Sequence, residues 1–321
     1  TRYGVFAMEK HRKRILCMGS INMDLNMFME RMPAPAETVA TDNFTTCPGG
    51  KSGNQAVAAA RLGGEVGFFG KLGDDMFSKE LLAAMQKDGV DTTHILIEPG
   101  ATAGVAMIRI DAEGINSISF TPGANALMTP EDVNAHEALF EEYGFLLITA
   151  EIPLPTVFAA VRMAKSKGMT VVMDVAPVPK EPIPPDIPPM LDFIKPNEIE
   201  AGQLAGMQVT DEASARECMD ILRGLGYRNP LITLGKDGCL AWTGREAQRL
   251  LPPKVNAIDT TAAGDVFLGA FTAALSNGKE IPEAVSFASV ASAISTTVKG
   301  AQTSIPTREQ VEAFMEQERI G

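Results

Sequence analysis

The sequence predicts an α/β protein, a three-layer α/β/α sandwich around a mostly parallel central sheet. Three observations predict it. Short apolar runs alternate with helical stretches along most of the chain. The runs are continuously apolar, as strands buried on both faces of a parallel sheet must be. The 321 residues, 45% of them hydrophobic, suffice for one large core or a core with an appended element.

Ile15-Leu16-Cys17-Met18-Gly19 is an apolar run ending in glycine and reads as a buried first strand. Asn54 to Leu62 is alanine-rich and helical, Val66 to Gly70 is a strand, and Lys79 to Asp88 a helix. Further on, Phe145–Thr149 (strand), Pro155–Lys167 (helix), Thr170–Asp174 (strand) and Phe193-Ile194 (short strand) keep the rhythm. Glu198–Gly206 and Ser214–Gly224 are helices, Leu231–Leu234 is a strand, and a helix runs on through Val266–Phe271. The proline-rich 177–189 is an irregular connection. No internal repeat is present.

Two stretches, 25–44 and 104–121, break the pattern and read as extended segments between turns. In the second, Val105–Ile110, a polar turn at 111–114 and Ile115–Phe120 form a hairpin signal. Such strands fit a small separate sheet. Met18, Met23, Met27, Met29 and Met32 nearby serve either as an adaptable contact surface or, more ordinarily, as core filling.

Residues 259–267, Asp-Thr-Thr-Ala-Ala-Gly-Asp-Val-Phe, carry the clearest chemistry. Small residues at 262–264 can tighten into a turn at a helix N-terminus, where free N–H groups and the positive end of the helix dipole attract anions. A carboxylate, Asp265, stands beside that anion hole. The pair suits phosphoryl transfer to a hydroxyl: the N–H groups of Ala262, Ala263 and Gly264 hold the charge and Asp265 takes the proton. The plainer reading is a capping aspartate in a glycine turn. Far upstream, Pro48-Gly49-Gly50-Lys51-Ser52-Gly53-Asn54-Gln55-Ala56 is a second glycine turn. Its Gly50-Lys51-Ser52 matches the end of a P-loop, but Thr45 stands where the first P-loop glycine belongs.

Taken together and in this order, the two motifs resemble the signatures of the ribokinase-like (PfkB) family of sugar and nucleoside kinases, from about Ile15 to the C-terminus. The resemblance implies the 25–44 and 104–121 segments as a β-lid over the sugar and a homodimer interface, and 15–24, 45–103 and 122–321 as the kinase body. It assigns sugar contacts to Gly50, Lys51 and Asn54, to Asn22 and Asp24 after the first strand, to Glu151 at a strand end, and to Asp265 itself. An aspartate can accept from two neighbouring hydroxyls, which suits a polyol; without the family match, Asn22-Met23-Asp24 reads as an Asx turn. Ser52-Gly53 replaces the Gly-Ala usual in the family.

For ATP, the resemblance places Asn197 at phosphate and Glu200 at Mg²⁺ through water, a spacing that also reads as a capping box. It gives Thr233, Gly235, Lys236 and Gly238 to a nucleotide loop, Gly264 to the phosphates, and Ser289 to the adenine, where relatives carry a larger side chain. Asp259, Thr261, Ser295, Val298, Gly300 and Ser304 fall on a monovalent-cation site suited to K⁺.

The implied reaction is ATP-dependent phosphorylation of a primary sugar hydroxyl, D-ribose first. The alternatives are 2-deoxyribose, 2-keto-3-deoxygluconate (with Arg31 or Arg109 for its carboxylate), a nucleoside, or a non-catalytic sugar binder. Against a nucleoside, aromatics are only 6% and do not cluster at the sugar motifs. A net charge of −12 argues against nucleic acid or an anionic membrane as partner. The four cysteines show no metal spacing and read as reduced thiols of a cytoplasmic protein without a signal peptide or transmembrane run. His11, His94 and His136 do not cluster, Trp242 reads as packing, and 1–14 reads as a mobile tail.

Overall fold

The computed structural model describes residues 13–41 and 43–320, the side chains of 318–320 excepted. Positions 1–12 of the expected tail lie outside the described residues. Arg14 is no part of a tail: its guanidinium sits 4.4 Å from the centre of the Tyr143 ring, amid Glu65, Asp91 and Glu142. Its carbonyl accepts from the N–H groups of Gly144 and Phe145.

The first half of the chain holds β1 (Ile15–Met18), β2 (Asn22–Phe28), β3 (Asn43–Gly49), α1 (Lys51–Arg61), β4 (Val66–Leu72) and α2 (Met76–Lys87). Then come β5 (Ile95–Ile97), β6 (Gly104–Ile110), β7 (Asn116–Thr121), α3 (Pro130–Ala135), β8 (Phe145–Thr149), α4 (Leu154–Ser166) and β9 (Thr170–Asp174). The rest is β10 (Phe193–Ile194), α5 (Glu198–Ala205), α6 (Glu212–Gly224), β11 (Asn229–Thr233), β12 (Cys239–Trp242) and β13 (Ala247–Leu250). Three helices close the chain: α7 (Ala263–Ser276), α8 (Ile281–Ser295) and α9 (Arg308–Ile320).

Nine strands form one sheet in the order β13-β12-β11-β10-β9-β8-β1-β4-β5. It is parallel except where β12 pairs antiparallel with β11 and β13. Along β1, Ile15 and Cys17 enter one core while Leu16 and Met18 enter the other, so all four are buried. This double burial makes the strands read as unbroken apolar runs. From β1 the chain steps one way to β4 and β5, then returns to β8 and steps the other way to β11. The crevice at the carboxyl ends of β1 and β8 is therefore the switch point where such sheets take ligands.

β2, β3, β6 and β7 form a separate four-stranded sheet in the order β3-β2-β6-β7. It includes 22–24 and 45–49, which the sequence assigns to the body. The reason is alternation: Met23, Leu25 and Met27 on one face and Asn22, Asp24 and Asn26 on the other sustain pairing from Asn22 opposite Gly49 to Phe28 opposite Asn43. The expected hairpin pairs Val105 with Thr121 through Ile110 with Asn116. Met18, Met23 and Met29 are buried and fill core, and the Trp242 ring packs under the Arg223 guanidinium at 3.5 Å.

Helix α1 begins at Lys51, three residues before the sequence places it, because Gly50 reverses the chain at φ 81° directly ahead of it. It packs closely on α7. A Cβ on Gly269 would lie 2.6 Å from the Gln55 carbonyl and 2.7 Å from the Ala58 methyl. That close crossing carries Asn54 and Gln55 to the first turn of α7.

Candidate active site

Helix α7 starts from Ala262, held in the left-handed region at φ 60°, ψ 7°. For a residue with a Cβ this costs roughly 1–2 kcal/mol, strain of the kind that gathers at functional turns. The Ala263 N–H donates to the Thr260 carbonyl at 3.2 Å and is occupied within the turn. Among the described residues, the N–H groups of Ala262, Gly264 and Asp265 have no acceptor. Among the described residues the free donors of this turn thus include Asp265 in place of Ala263 of the expected Ala262–Gly264 set.

Asp265 is buried beneath that turn, 5% exposed. Its Oδ2 accepts from Asn54 Nδ2 at 3.0 Å and its Oδ1 from Gln55 Nε2 at 3.1 Å. Burial pushes its pKa up and Asp174 adds to the shift, while Lys51, Lys195 and the Asn54 hydrogen bond oppose it. The fully buried Asp174, at the end of β9, accepts from Gln55 Nε2 at 2.9 Å and pairs with Lys195 Nζ at 3.2 Å. Lys195 follows β10, and a Cβ on Gly264 would meet its Nζ at 3.0 Å, so the ammonium lies against the anion hole. Sequence reasoning missed Gln55, Asp174 and Lys195 as a group. Lys51 stays protonated: burial opposes its charge, but Asp265, Asp174, Glu151 and Glu200 outweigh it.

The residues expected at the sugar gather at the switch point. Glu151, just past β8, accepts from the Ser20 hydroxyl and from the Lys51 N–H at 3.2 Å. Burial raises its pKa against those hydrogen bonds. Asp24 points from β2 into the same region, its pKa raised to about 6 by burial and by the carboxylates of Glu151 and Asp265. A Cβ on Gly49 would fall 2.3 Å from Asp24 Oδ2, and one on Gly50 would fall 2.8 Å from the Asn22 nitrogen. The glycine pair is therefore the space in which Asn22 and Asp24 fit. Ser52 turns away from the sugar region: its hydroxyl donates to the Met18 carbonyl at 3.1 Å and lies 2.8 Å from the Thr149 hydroxyl.

On the far side of α7 a cleft of about 720 Å³ opens between the β11 loop and α8. Asn197, Thr233, Gly235, Lys236, Gly238, Gly264 and Ser289 all line it. Sequence reasoning missed the wall made by Pro252, Pro253 and Val255, which carries no polar spacing signal. Asn197 and Glu200 form the capping box: Asn197 Oδ1 accepts from the Glu200 N–H at 2.8 Å, and Glu200 Oε2 from the Asn197 N–H at 2.9 Å. This leaves the Asn197 Nδ2 at the cleft without an acceptor among the described residues. Its volume and backbone-rich lining, with Lys236 and Lys254, fit a nucleoside triphosphate.

The Asp259 carboxylate ties the two segments of the expected cation site, accepting from the Thr261 N–H at 2.9 Å and the Gly300 N–H at 2.8 Å. Burial works against its charge, but those contacts and Lys299 hold its pKa below the ordinary value. The Ser295 and Ser304 hydroxyls donate to carbonyls in their own turns, those of Ser292 and Ala301. These hydrogen bonds tie both side chains into their own turns.

Arg31 pairs with Glu37 at the surface. Arg109 stands opposite Met27 in the lid register, on the face away from Asn22 and Asp24. Neither expected arginine reaches the sugar region. Among the described residues no three acidic, histidine or cysteine side chains cluster to hold a metal. No helix among them is long and apolar enough to cross a membrane.

Fold and site together describe a phosphotransferase of the doubly wound type, and comparison with known proteins agrees. Residues 12–308 match the pfkB family carbohydrate kinases, and the chain belongs to that family. It is 38% identical over 305 residues to a ribokinase of Haemophilus influenzae, covering 95% of this chain and 99% of the relative. It is 33% identical to a deoxyribokinase of Salmonella typhi, covering 94% and 98%. Among solved structures, Arabidopsis thaliana ribokinase complexed with ribose and ATP superposes with a TM-score of 0.88 at 30% identity, covering 94% and 97%.

Proposed function

We propose that this chain transfers a phosphoryl group from ATP to the primary hydroxyl of a pentose, converting D-ribose to ribose 5-phosphate. The observation that carries the reading is Asp265, a buried carboxylate oriented by two amides where the sugar-side crevice and the nucleotide cleft meet. Asp265 takes the hydroxyl proton as the oxygen attacks phosphorus. A pKa raised by burial makes it a better base than an exposed aspartate. The free N–H groups of Ala262, Gly264 and Asp265, with Lys195 and Lys51, receive the charge on the transferring group.

Asn22, Asp24, Lys51, Asn54 and Glu151 bind the sugar hydroxyls, with the Gly50 backbone beside them. Asn197, Thr233, Gly235, Lys236, Gly238 and Ser289 hold the nucleotide. Glu200 would hold Mg²⁺ through water, and the ion would supply charge neutralisation for the phosphates. Asp259, with Thr261, Ser295, Val298, Gly300 and Ser304, would hold K⁺, whose charge would steady the turn at Ala262. The β2-β3-β6-β7 sheet is the lid. Phe28, Ile118 and Phe120, exposed on its Asp24-bearing face, are the homodimer contact. Four free thiols suit a cytoplasmic setting.

Deoxyribose is the second reading, favoured by the identity to a deoxyribokinase. 2-Keto-3-deoxygluconate is disfavoured because Arg31 and Arg109 point elsewhere. The test is ADP release from Mg-ATP across sugars and nucleosides, with K⁺ and then Na⁺. K⁺-stimulated turnover greatest with ribose is expected. Silence across the panel from protein that binds ATP would overturn the reading.

A further inference from the structure

We propose that Asn125 is a positioning residue that sets the polarity of the sugar site, by forcing Asn22 to present its amide nitrogen to the substrate. The inference rests on the sugar-binding reading of Asn22 given above.

Asn125 lies just beyond β7, in the 3-10 turn Gly123–Leu127 that returns the chain from the lid to the body. It is 1% exposed. Its Oδ1 accepts from the Ile21 N–H at 3.0 Å, and its Nδ2 donates to the Ile21 carbonyl at 3.1 Å and the Pro122 carbonyl at 2.9 Å. A side-chain amide ordinarily leaves its oxygen and nitrogen interchangeable. Here backbone groups of fixed role decide: turned over, Asn125 would set its oxygen against two carbonyl oxygens and its N–H groups against an N–H.

That decision passes to Asn22. Asn22 Oδ1, 2.9 Å from Asn125 Nδ2, is a third acceptor sharing its two N–H groups, so the Asn22 atom facing that nitrogen is the oxygen. The Asn22 Nδ2 then points away from Asn125 and has no acceptor among the described residues. The neighbouring side chains Asp24 and Glu151 are carboxylates that accept hydroxyl protons. A donor fixed among acceptors matches a polyol, whose hydroxyls must both give and take hydrogen bonds.

Gly104 completes the arrangement. It stands opposite Asn22 where β6 enters the lid, and a Cβ there would fall 2.2 Å from Asn22 Oδ1 and 2.4 Å from Asn125 Nδ2. Three of the four passages between body and lid thus meet at the amide pair, so lid seating and sugar polarity are set by the same contact.

The experiment is a double-mutant cycle on steady-state kinetics with Asn22→Ala and Asn125→Asp. Asn125→Asp keeps the shape but loses the donor, so Asn22 is expected to turn over or lose its place. Sugar KM should rise roughly ten- to hundredfold, the range for a buried unpaired group, with the KM for ATP unchanged. In the Asn22→Ala background Asn125→Asp should raise sugar KM far less than in wild type, by only what the lost Ile21 and Pro122 hydrogen bonds contribute. Gly104→Ala reaches the same pair from the other side and should raise sugar KM alone, which keeps the test alive if Asn125→Asp does not fold. Additive effects on sugar KM, or a parallel rise in the KM for ATP, would overturn the proposal while leaving the sugar reading standing. Wild-type protein that turns over no sugar would overturn both.

Discussion

The two ends of the active site are built from different materials. At the proposed sugar end, buried polar side chains from separate elements hold one another: Ser20 with Glu151, Asn54 and Gln55 with Asp265, Asn125 with Asn22. At the nucleotide end, a roomy cleft is lined by glycines, prolines and small residues that offer mainly backbone. The difference follows from the ligands. A pentose is recognised hydroxyl by hydroxyl, and each hydroxyl needs a partner of fixed polarity. A triphosphate presents charge, which N–H groups and a helix dipole meet without side-chain specificity. Asp265 sits at the join, buried like the sugar end and beside the open donors of the other.

The largest break in this comparison is Asp265→Asn. Turnover should fall by roughly 10²–10⁴, the usual contribution of a general base, while sugar and ATP dissociation constants measured by calorimetry stay within a few-fold. Loss of sugar binding instead would make Asp265 a ligand rather than the base.

Gly264→Ala strikes the join from the nucleotide side. The new methyl meets Lys195 Nζ at 3.0 Å and displaces the ammonium. We expect kcat lower by about ten- to hundredfold, the cost of a small misplacement of a catalytic group, with sugar KM unchanged. Unchanged kcat would show that Lys195 does not serve the phosphoryl group.

pH separates the ends more gently. The Asp24 carboxyl in the folded protein titrates near 6 rather than at its ordinary 3.8. As pH falls through about 6, kcat/KM for the sugar should decline while ATP affinity stays flat, since the ionised carboxylate is the acceptor. For stability the sign is opposite. A carboxyl whose folded pKa is raised adds stability below 3.8 that is lost as pH rises through about 6. Asp24→Asn should therefore raise the Tm at pH 7 while weakening sugar binding, and a lowered Tm would contradict the assignment of burial as the cause.

The smallest effect is Gly53→Ala. Gly53 lies inside α1, and an added Cβ finds its nearest neighbours at 3.7 and 3.8 Å, ordinary contact distances. Stability should rise by about 0.5–1 kcal/mol, read as a higher denaturation midpoint, with kinetics unaltered. A loss of stability would mean that α1 cannot take a methyl so close to the lid root.

The same contrast explains what the sequence discloses. Glycine turns have local spacing, so the turns ahead of α1 and α7 and the loop after β11 are readable along the chain. Gln55, Asp174 and Lys195 meet only through the fold, and 119 positions separate the hydrogen-bonded Gln55 and Asp174. No local pattern links them. The lid root was misdivided because a strand start depends on its partner: Asn22 joins β2 through pairing with Gly49 and Gly104, both distant in sequence. β12 and β13 follow β11 as an antiparallel extension with no helix between them, so they fall outside the strand–helix alternation that discloses the other strands.

The most direct test of the central claim is phosphorus NMR of the products formed from Mg-ATP and D-ribose in K⁺ buffer. A phosphate placed on the primary hydroxyl couples to the two protons of one CH₂ group. The account predicts a single new phosphomonoester triplet growing in equal amount with ADP. Inorganic phosphate alone, or a doublet from a phosphate on a CH carbon, would contradict it.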